Sequence, residues 1–167
     1  CIHTRYSTQQ AILEDIVASL YAQGMRKLII LSGHGGNNFK GMIRDLAFVY
    51  PDFLIIAADW FSIVPPKDYF EAVVDDHAGE SETSVMMHYH PELVNLAEAG
   101  DGESQPFAIP SLNEKVGWAP RHWDKATVDS GVGNPKKASA EKGERYMKPV
   151  VEKLAKLFTE VGLGSLY

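Results

Sequence analysis

Two short stretches hold most of the side chains able to do chemistry. The first is Ser32-Gly33-His34-Gly35-Gly36-Asn37-Asn38, one imidazole set among glycines. A neutral imidazole is the commonest protein ligand for zinc and similar ions. Glycines there let the backbone turn sharply and let another group approach closely. Two other readings fit the same residues. One is a loop histidine that caps backbone groups. The other is an anion-binding loop with free N–H groups before a helix, although the Gly-x-Gly-x-x-Gly spacing and the Gly-Lys-Ser/Thr ending are both missing. The second stretch is Asp76-His77-Ala78-Gly79-Glu80-Ser81-Glu82-Thr83-Ser84. It packs three carboxylates and an imidazole around a turn and the first turn of a helix. Glu80 needs no special role, since negative charge at a helix N-terminus is favourable by ~0.3–1 kcal/mol. Glu82, one turn in, can project back so that it and His77 face one cavity. A carboxylate there suits a hard or borderline metal and an imidazole suits acid/base work. An ordinary capped helix is the competing reading.

Other residues carry weaker signals. His88 and His90 are two apart on a helix and do not face each other. A cation near a helix C-terminus accounts for them. Asp59 and Trp60 end a strand and are placed to touch a ligand. Arg121-His122-Trp123-Asp124, with Trp118 just before, sits in irregular chain and suits a substrate mouth or a subunit contact. Packing is the competing role for Trp60 and Trp123, because Trp is usually highly buried.

The elements that must position these groups follow from hydrophobic periodicity. Ser7 and Gln10 have capping-box spacing. Ile12, Ile16, Leu20 and Leu13, Val17, Tyr21 then form a helical stripe, with Gly24 as the C′ residue. Residues 27–32 read as a buried strand leading into the glycine loop. Asn37 or Asn38 caps a second helix that buries Phe39, Met42, Ile43, Leu46 and Val49 up to Pro51. Residues 53–60 form another strand, so strand, helix and strand make a right-handed βαβ unit with parallel strands. Ligands of such sheets bind beyond the strand carboxyl ends, where His34 falls. The segment 67–76 reads as a short helix. A helix from Glu80 to His90 follows, with Val85, Met86 and Tyr89 available for the core. Residues 98–134 are loop-rich, with only short strand-like pieces such as Phe107-Ala108-Ile109, and long irregular segments are usually functional. Asn134-Pro135 opens the final helix, which runs to about Val161 with Tyr146, Val150, Leu154 and Leu157 inward and Pro149 inside.

The 167 residues suffice for one domain with a sizeable core, and neither a repeat nor a linker divides them. A hydrophobic content of 45% with 23% charged residues is that of a soluble globular chain. No apolar run reaches the ~20 residues of a membrane helix. A net charge of −6, spread along the chain, argues against a nucleic-acid partner. The single cysteine fits a reducing, cytoplasmic compartment. The opening Cys1-Ile2-His3-Thr4-Arg5-Tyr6 has neither initiator Met nor signal peptide, and reads as the start of the carboxyl-terminal part of something longer.

Taken together, the two chemical stretches resemble the creatininase (creatinine amidohydrolase) family. Its members carry an Asn-Gly-His-Gly-Gly-Asn-type loop after a strand and a His-Ala-Gly-x-x-Glu-Thr-Ser segment downstream. Ser130-Gly131-Val132-Gly133-Asn134-Pro135 and Ala138-Ser139-Ala140-Glu141-Lys142-Gly143 match a third stretch, before the last helix. The resemblance implies a three-layer α/β/α fold around a mainly parallel sheet. It implies a hydrolase that opens a non-peptide C–N bond of a small cyclic amide or formamide with metal-activated water. Two divalent ions (Zn, Mn or Fe) are implied, with His34 a ligand of one and Glu82 of the other, and His77 as the acid/base. Gly35, Gly36, Asn37, Trp60 and Trp123 are the expected substrate contacts. A symmetric oligomer, often a hexamer, is implied as well.

The chain departs from the family pattern in two places. The family draws further ligands from an amino-terminal Glu-x-His and a bridging Asp, which residues 1–26 do not contain. The creatininases proper have Tyr-Glu directly after the loop histidine, where this chain has Gly35-Gly36, so creatinine is not the expected substrate. A catalytically inactive ligand-binding or assembly subunit of the same fold is the alternative.

Overall fold

The computed structural model describes residues 3–165. Cys1 and Ile2, where the sequence begins abruptly, lie outside the described residues. These residues form two compact units, one made of the chain up to Ile63 together with the stretch from Glu152 onward, the other of Val64–Val151.

The first unit is built on a βαβ motif. α1 (Tyr6–Ala22) begins at Arg5 without a side-chain cap, so Ser7 lies inside the first turn and the capping-box expectation fails. Instead the Gln9 amide donates to the Thr4 carbonyl at 2.6 Å, holding the entry from outside. Its other end is as expected: Gly24, at φ 86°, lets its own N–H reach Tyr21 O and the Met25 N–H reach Leu20 O. That pair of bonds is the Schellman closure. β1 (Lys27–Ser32) and β2 (Leu54–Asp59) pair in parallel, Lys27 opposite Leu54 through Ser32 opposite Asp59. α2 (Lys40–Val49) connects them. Leu13, Val17, Met42, Leu46, Phe53 and Ile55 form the core. Of the paired stripes on α1, only Leu13 and Val17 are buried, while Ile12 and Ile16 face outward. Val49 is exposed too, being the last residue of its helix.

The second unit departs further from expectation. Residues 67–76 contain no α-helix; a 3₁₀ turn at Pro66–Asp68 is followed by β3 (Asp75–His77). α3 (Glu80–Tyr89) starts where expected, but it buries Glu80 and Ser84, with Met86 and Tyr89 exposed. The irregular segment holds two single-turn helices, α4 (Pro110–Asn113) and α5 (Trp123–Ala126), and Phe107-Ala108-Ile109 is not a strand. β4 (Val132–Gly133) pairs antiparallel with β3. Asn134 does cap, accepting from Lys136 N at 2.9 Å, but it caps a 3₁₀ turn at Pro135–Lys137. The chain is extended again at Ala138, and the Ser139 hydroxyl, accepting from Lys142 N at 3.2 Å, caps α6 (Ala140–Leu163). Tyr146 and Val150 of α6 lie in this unit's core beside Val64, Phe70 and Val132.

The far end of α6 belongs to the first unit. Pro149 lies inside the helix as expected. Lys27 Nζ donates to the Val161, Gly162 and Gly164 carbonyls at 2.7, 3.3 and 2.6 Å, placing a cation on a helix C-terminus. The elements and the parallel pair make this an α/β fold. Among the described residues, no helix is long and apolar enough to cross a membrane.

Candidate active site

In the first unit β1 ends in the glycine loop as the sequence indicates, and His34 is exposed there. Its Nδ1 accepts the Gly36 backbone N–H at 2.8 Å. A Cβ at Gly36 would lie 3.0 Å from the His34 ring, so the side-chain-free residue is what lets the imidazole fold back. With Nδ1 an acceptor, the proton of a neutral ring sits on Nε2. A cation binding at Nε2 of a neutral ring therefore needs that proton moved to Nδ1, with the Gly36 contact opened. Asn37 closes a turn on His34 O at 3.1 Å, and Asn38 Oδ1 accepts from Lys40 N at 3.3 Å at the start of α2. Gly35 faces Phe61, which lies edge-on to Trp60 at 6.0 Å.

The second unit brings His77, Glu82 and Trp123 together. β3 delivers His77, and Ala78 turns the chain at φ 50° into α3. Glu82 Oε2 accepts the Ala78 N–H at 2.7 Å, and the Thr83 hydroxyl donates to Ala78 O at 3.2 Å. The carboxylate is therefore folded back over the turn, 3.9 Å from His77 Nδ1, and half exposed. Its Oε1 has no hydrogen-bond partner among the described residues and is free to meet a ligand. The Trp123 ring stands edge-on to His77 at 4.9 Å. Arg121 stacks on Trp123 at 4.7 Å and forms an ion pair with Asp76. His88 and His90 stand apart from this cluster, His88 against Tyr89 and His90 3.3 Å from Glu92.

Three groups that hold the site in place went unread in the sequence. Glu80 is completely buried; Oε2 accepts the Glu71 and Ala72 N–H groups at 2.9 and 2.8 Å, and Oε1 pairs with Lys142. Asp75 accepts from Ser81 N at 3.1 Å, serving as the cap that Gly79 cannot supply. Burial pushes the Asp75 carboxyl above its usual range, against the pull of those hydrogen bonds. Ser84 donates to Glu80 O at 2.6 Å and accepts from Ser139 N at 3.1 Å, joining α3 to the entry of α6. The signal available was the single lysine of Glu141-Lys142-Gly143, a cation beside a glycine at a helix start.

His34, Gly35, Gly36, Asn37 and Trp60 belong to the first unit, and His77, Glu82 and Trp123 to the second. Among the described residues, no three or more His, Cys, Asp or Glu side chains are grouped so as to hold a metal ion.

Comparison with known proteins places these features in context. A family model described as "Creatininase: Creatinine amidohydrolase" matches residues 1–158. A mycofactocin precursor peptide peptidase of Mycobacterium ulcerans (strain Agy99) is 32% identical over 131 residues, 75% of this chain and 45% of that protein. A creatinine amidohydrolase of Pseudomonas putida is 24% identical over 169 residues, 92% of this chain and 63% of that protein. The chain thus spans about half to two thirds of the curated relatives it matches. A crystal structure from Bacteroides fragilis NCTC 9343, carrying a provisional creatinine amidohydrolase name, superposes with a TM-score of 0.97 at 83% identity. It covers 100% of this chain and 66% of that one. Creatininase structures described as Zn–Zn and Mn forms share the fold at a TM-score of 0.73, with identities of 22% and 21%.

Proposed function

The chain belongs to the creatininase family, and from that premise we propose that it serves a metal-dependent amidohydrolase acting on a C–N bond of a small cyclic amide or formamide. Glu82 and His34 are metal ligands in this reading, and His77 passes a proton to the leaving nitrogen. The observation that carries it is the start of α3, where one carboxylate and one imidazole are held side by side against an aromatic wall.

The donor types suit a divalent ion. Glu82 has one oxygen fixed by Ala78 N–H and the other open, and His34 presents Nε2 outward once its proton is displaced. When bound, such an ion lowers the pKa of water toward ~7 and polarises a carbonyl. The zinc and manganese forms of family structures make those ions the first to test. A tight site takes more ligands than these two, and among the described residues no group of three or more His, Cys, Asp or Glu side chains supplies them. His77, with the Trp123 ring edge-on to it, gives its proton to nitrogen as the C–N bond breaks in this reading. Trp123 supplies an apolar face to the substrate, while Gly35, Gly36, Asn37 and Trp60 offer backbone donors and a second aromatic. A cytoplasmic, symmetric oligomer completes the proposal; exposed Phe48, Val73 and Trp118 give it apolar surface to cover.

Two observations keep other readings in view. The peptidase name of a 32% identical relative widens the substrate to a peptide amide. The backbone bond of His34, with no larger donor cluster among the described residues, favours an inactive assembly subunit. His77→Ala discriminates among them. The expected result, on a panel of cyclic amides, formamides and short peptides, is unchanged metal content with kcat lower by about 10²–10⁴. Turnover at the parent rate contradicts the role given to His77, and a parent protein that neither binds metal nor turns over any of the panel supports the inactive subunit.

A further inference from the structure

Beside the His77 cluster, the second unit carries an open cavity of about 470 Å³ that no step above employs. Its wall is built. Asn113 grips the Phe107 backbone from both sides, accepting from its N–H at 2.9 Å and donating to its carbonyl at 2.8 Å. Gln105 N donates to Ala126 O at 2.7 Å, and Ser104 bridges to Thr127, tying the two sides of the cavity together. Phe107 and Ala126 give it an apolar lining.

The charged lining is of one sign. Arg121, His122 and Lys125 face the cavity, and no Asp or Glu does. The Arg121 charge is matched by Asp76, whereas Lys125 has no ion-pair partner among the described residues. An unpaired ammonium on an apolar concave wall favours a ligand that brings a carboxylate on an apolar stem. Cationic ligands are disfavoured by the same field. The cavity also communicates with the proposed chemistry, because Arg121 stacks on the ring that stands against His77.

We infer that this cavity is a specificity subsite for an apolar, carboxylate-bearing portion of the substrate, with Lys125 as its charge partner. The inference rests on His77 marking the reacting end, and it narrows the substrate to an amide carrying a free carboxylate away from the scissile bond. It is tested by binding alone, so that it stands or falls separately from turnover. The probes are 3-phenylpropionate and its neutral analogue 3-phenylpropionamide, titrated by NMR into the purified protein and into Lys125→Gln and Lys125→Arg. Expected is at least tenfold tighter binding of the acid than of the amide. Lys125→Gln should erase that preference and Lys125→Arg should keep it, while His77→Ala binds the acid as the parent does. Equal affinity for acid and amide, binding of neither, or a preference that survives Lys125→Gln overturns the subsite.

Discussion

A carboxylate with no exposed surface is the residue on which the second unit depends most. Glu80 reaches two backbone N–H groups and one ammonium, so all of its ionised oxygens are satisfied. Lys142→Met removes the cation and leaves the charge buried, which costs on the order of 3 kcal/mol. Glu80→Gln combined with Lys142→Met should recover part of that loss, as read in urea melts. Glu71 sets a pH dependence in the same cluster. Lys137 and Lys142 lower its pKa from 4.5 to about 2. A lowered folded-state value means its contribution is intact above 4.5 and is lost as pH falls toward about 2. Glu71→Gln should therefore flatten the stability profile across that acid window. Asp75 works in the opposite sense: burial raises it, so its ionisation opposes folding as pH rises. At His34 the prediction is spectroscopic. Zinc binding at the imidazole should break the Gly36 N–H bond to Nδ1, shifting the Gly36 amide resonance and speeding its hydrogen exchange. An unchanged Gly36 amide on zinc addition contradicts ligation through Nε2.

At the scale of elements, two glycines separate conformational strain from steric exclusion. Gly24 ends α1 at φ 86° with open space where a Cβ would be. Gly24→Ala should cost about 1–2 kcal/mol, the penalty of a left-handed conformation for an L residue. Gly143 has no unusual φ, but a Cβ there would lie 2.1 Å from Ser84 O. Gly143→Ala must push α6 off α3, and should cost more than Gly24→Ala in the same thermal melts. β1, β2, α2 and α3 were legible because their signals are local: β-branched runs, helical spacing, and prolines at the ends. β3 was not, since Asp75–His77 becomes a strand only by pairing with Val132–Gly133, far along the chain. The polar buried face of α3 was hidden for a related reason. Met86 and Tyr89 have the residue types of a core, but the Gly143 approach and the Glu80–Lys142 pair turn Glu80 and Ser84 inward instead. The final helix begins later than the Asn134-Pro135 signal indicates, because that cap is spent on a 3₁₀ turn before Ser139 caps again.

For the molecule as a whole, the family is readable from three motifs in order. His77 lies near Glu82 and Trp123 at the start of α3, a proximity that the notion of a shared cavity for His77 and Glu82 requires. Arg121-His122-Trp123-Asp124 stands out in the sequence as a substrate mouth or a subunit contact, whereas the cavity that Arg121 and His122 border is not legible, because its other wall and the Asp76 partner come from distant parts of the chain. Exposed apolar side chains such as Phe48, 90% accessible, suit a surface covered by other copies. Light scattering at micromolar concentration should report the mass of several chains, and Phe48→Glu should shift it toward smaller species; a single-chain mass for the parent contradicts the oligomer. The claim beneath all of this is that His34 and Glu82 hold metal while His77 handles protons. Elemental analysis of the purified protein and three variants tests it most directly. The account predicts divalent metal retained by the parent and by His77→Ala, and sharply reduced in His34→Ala and in Glu82→Gln. Equal metal in all four proteins would contradict it.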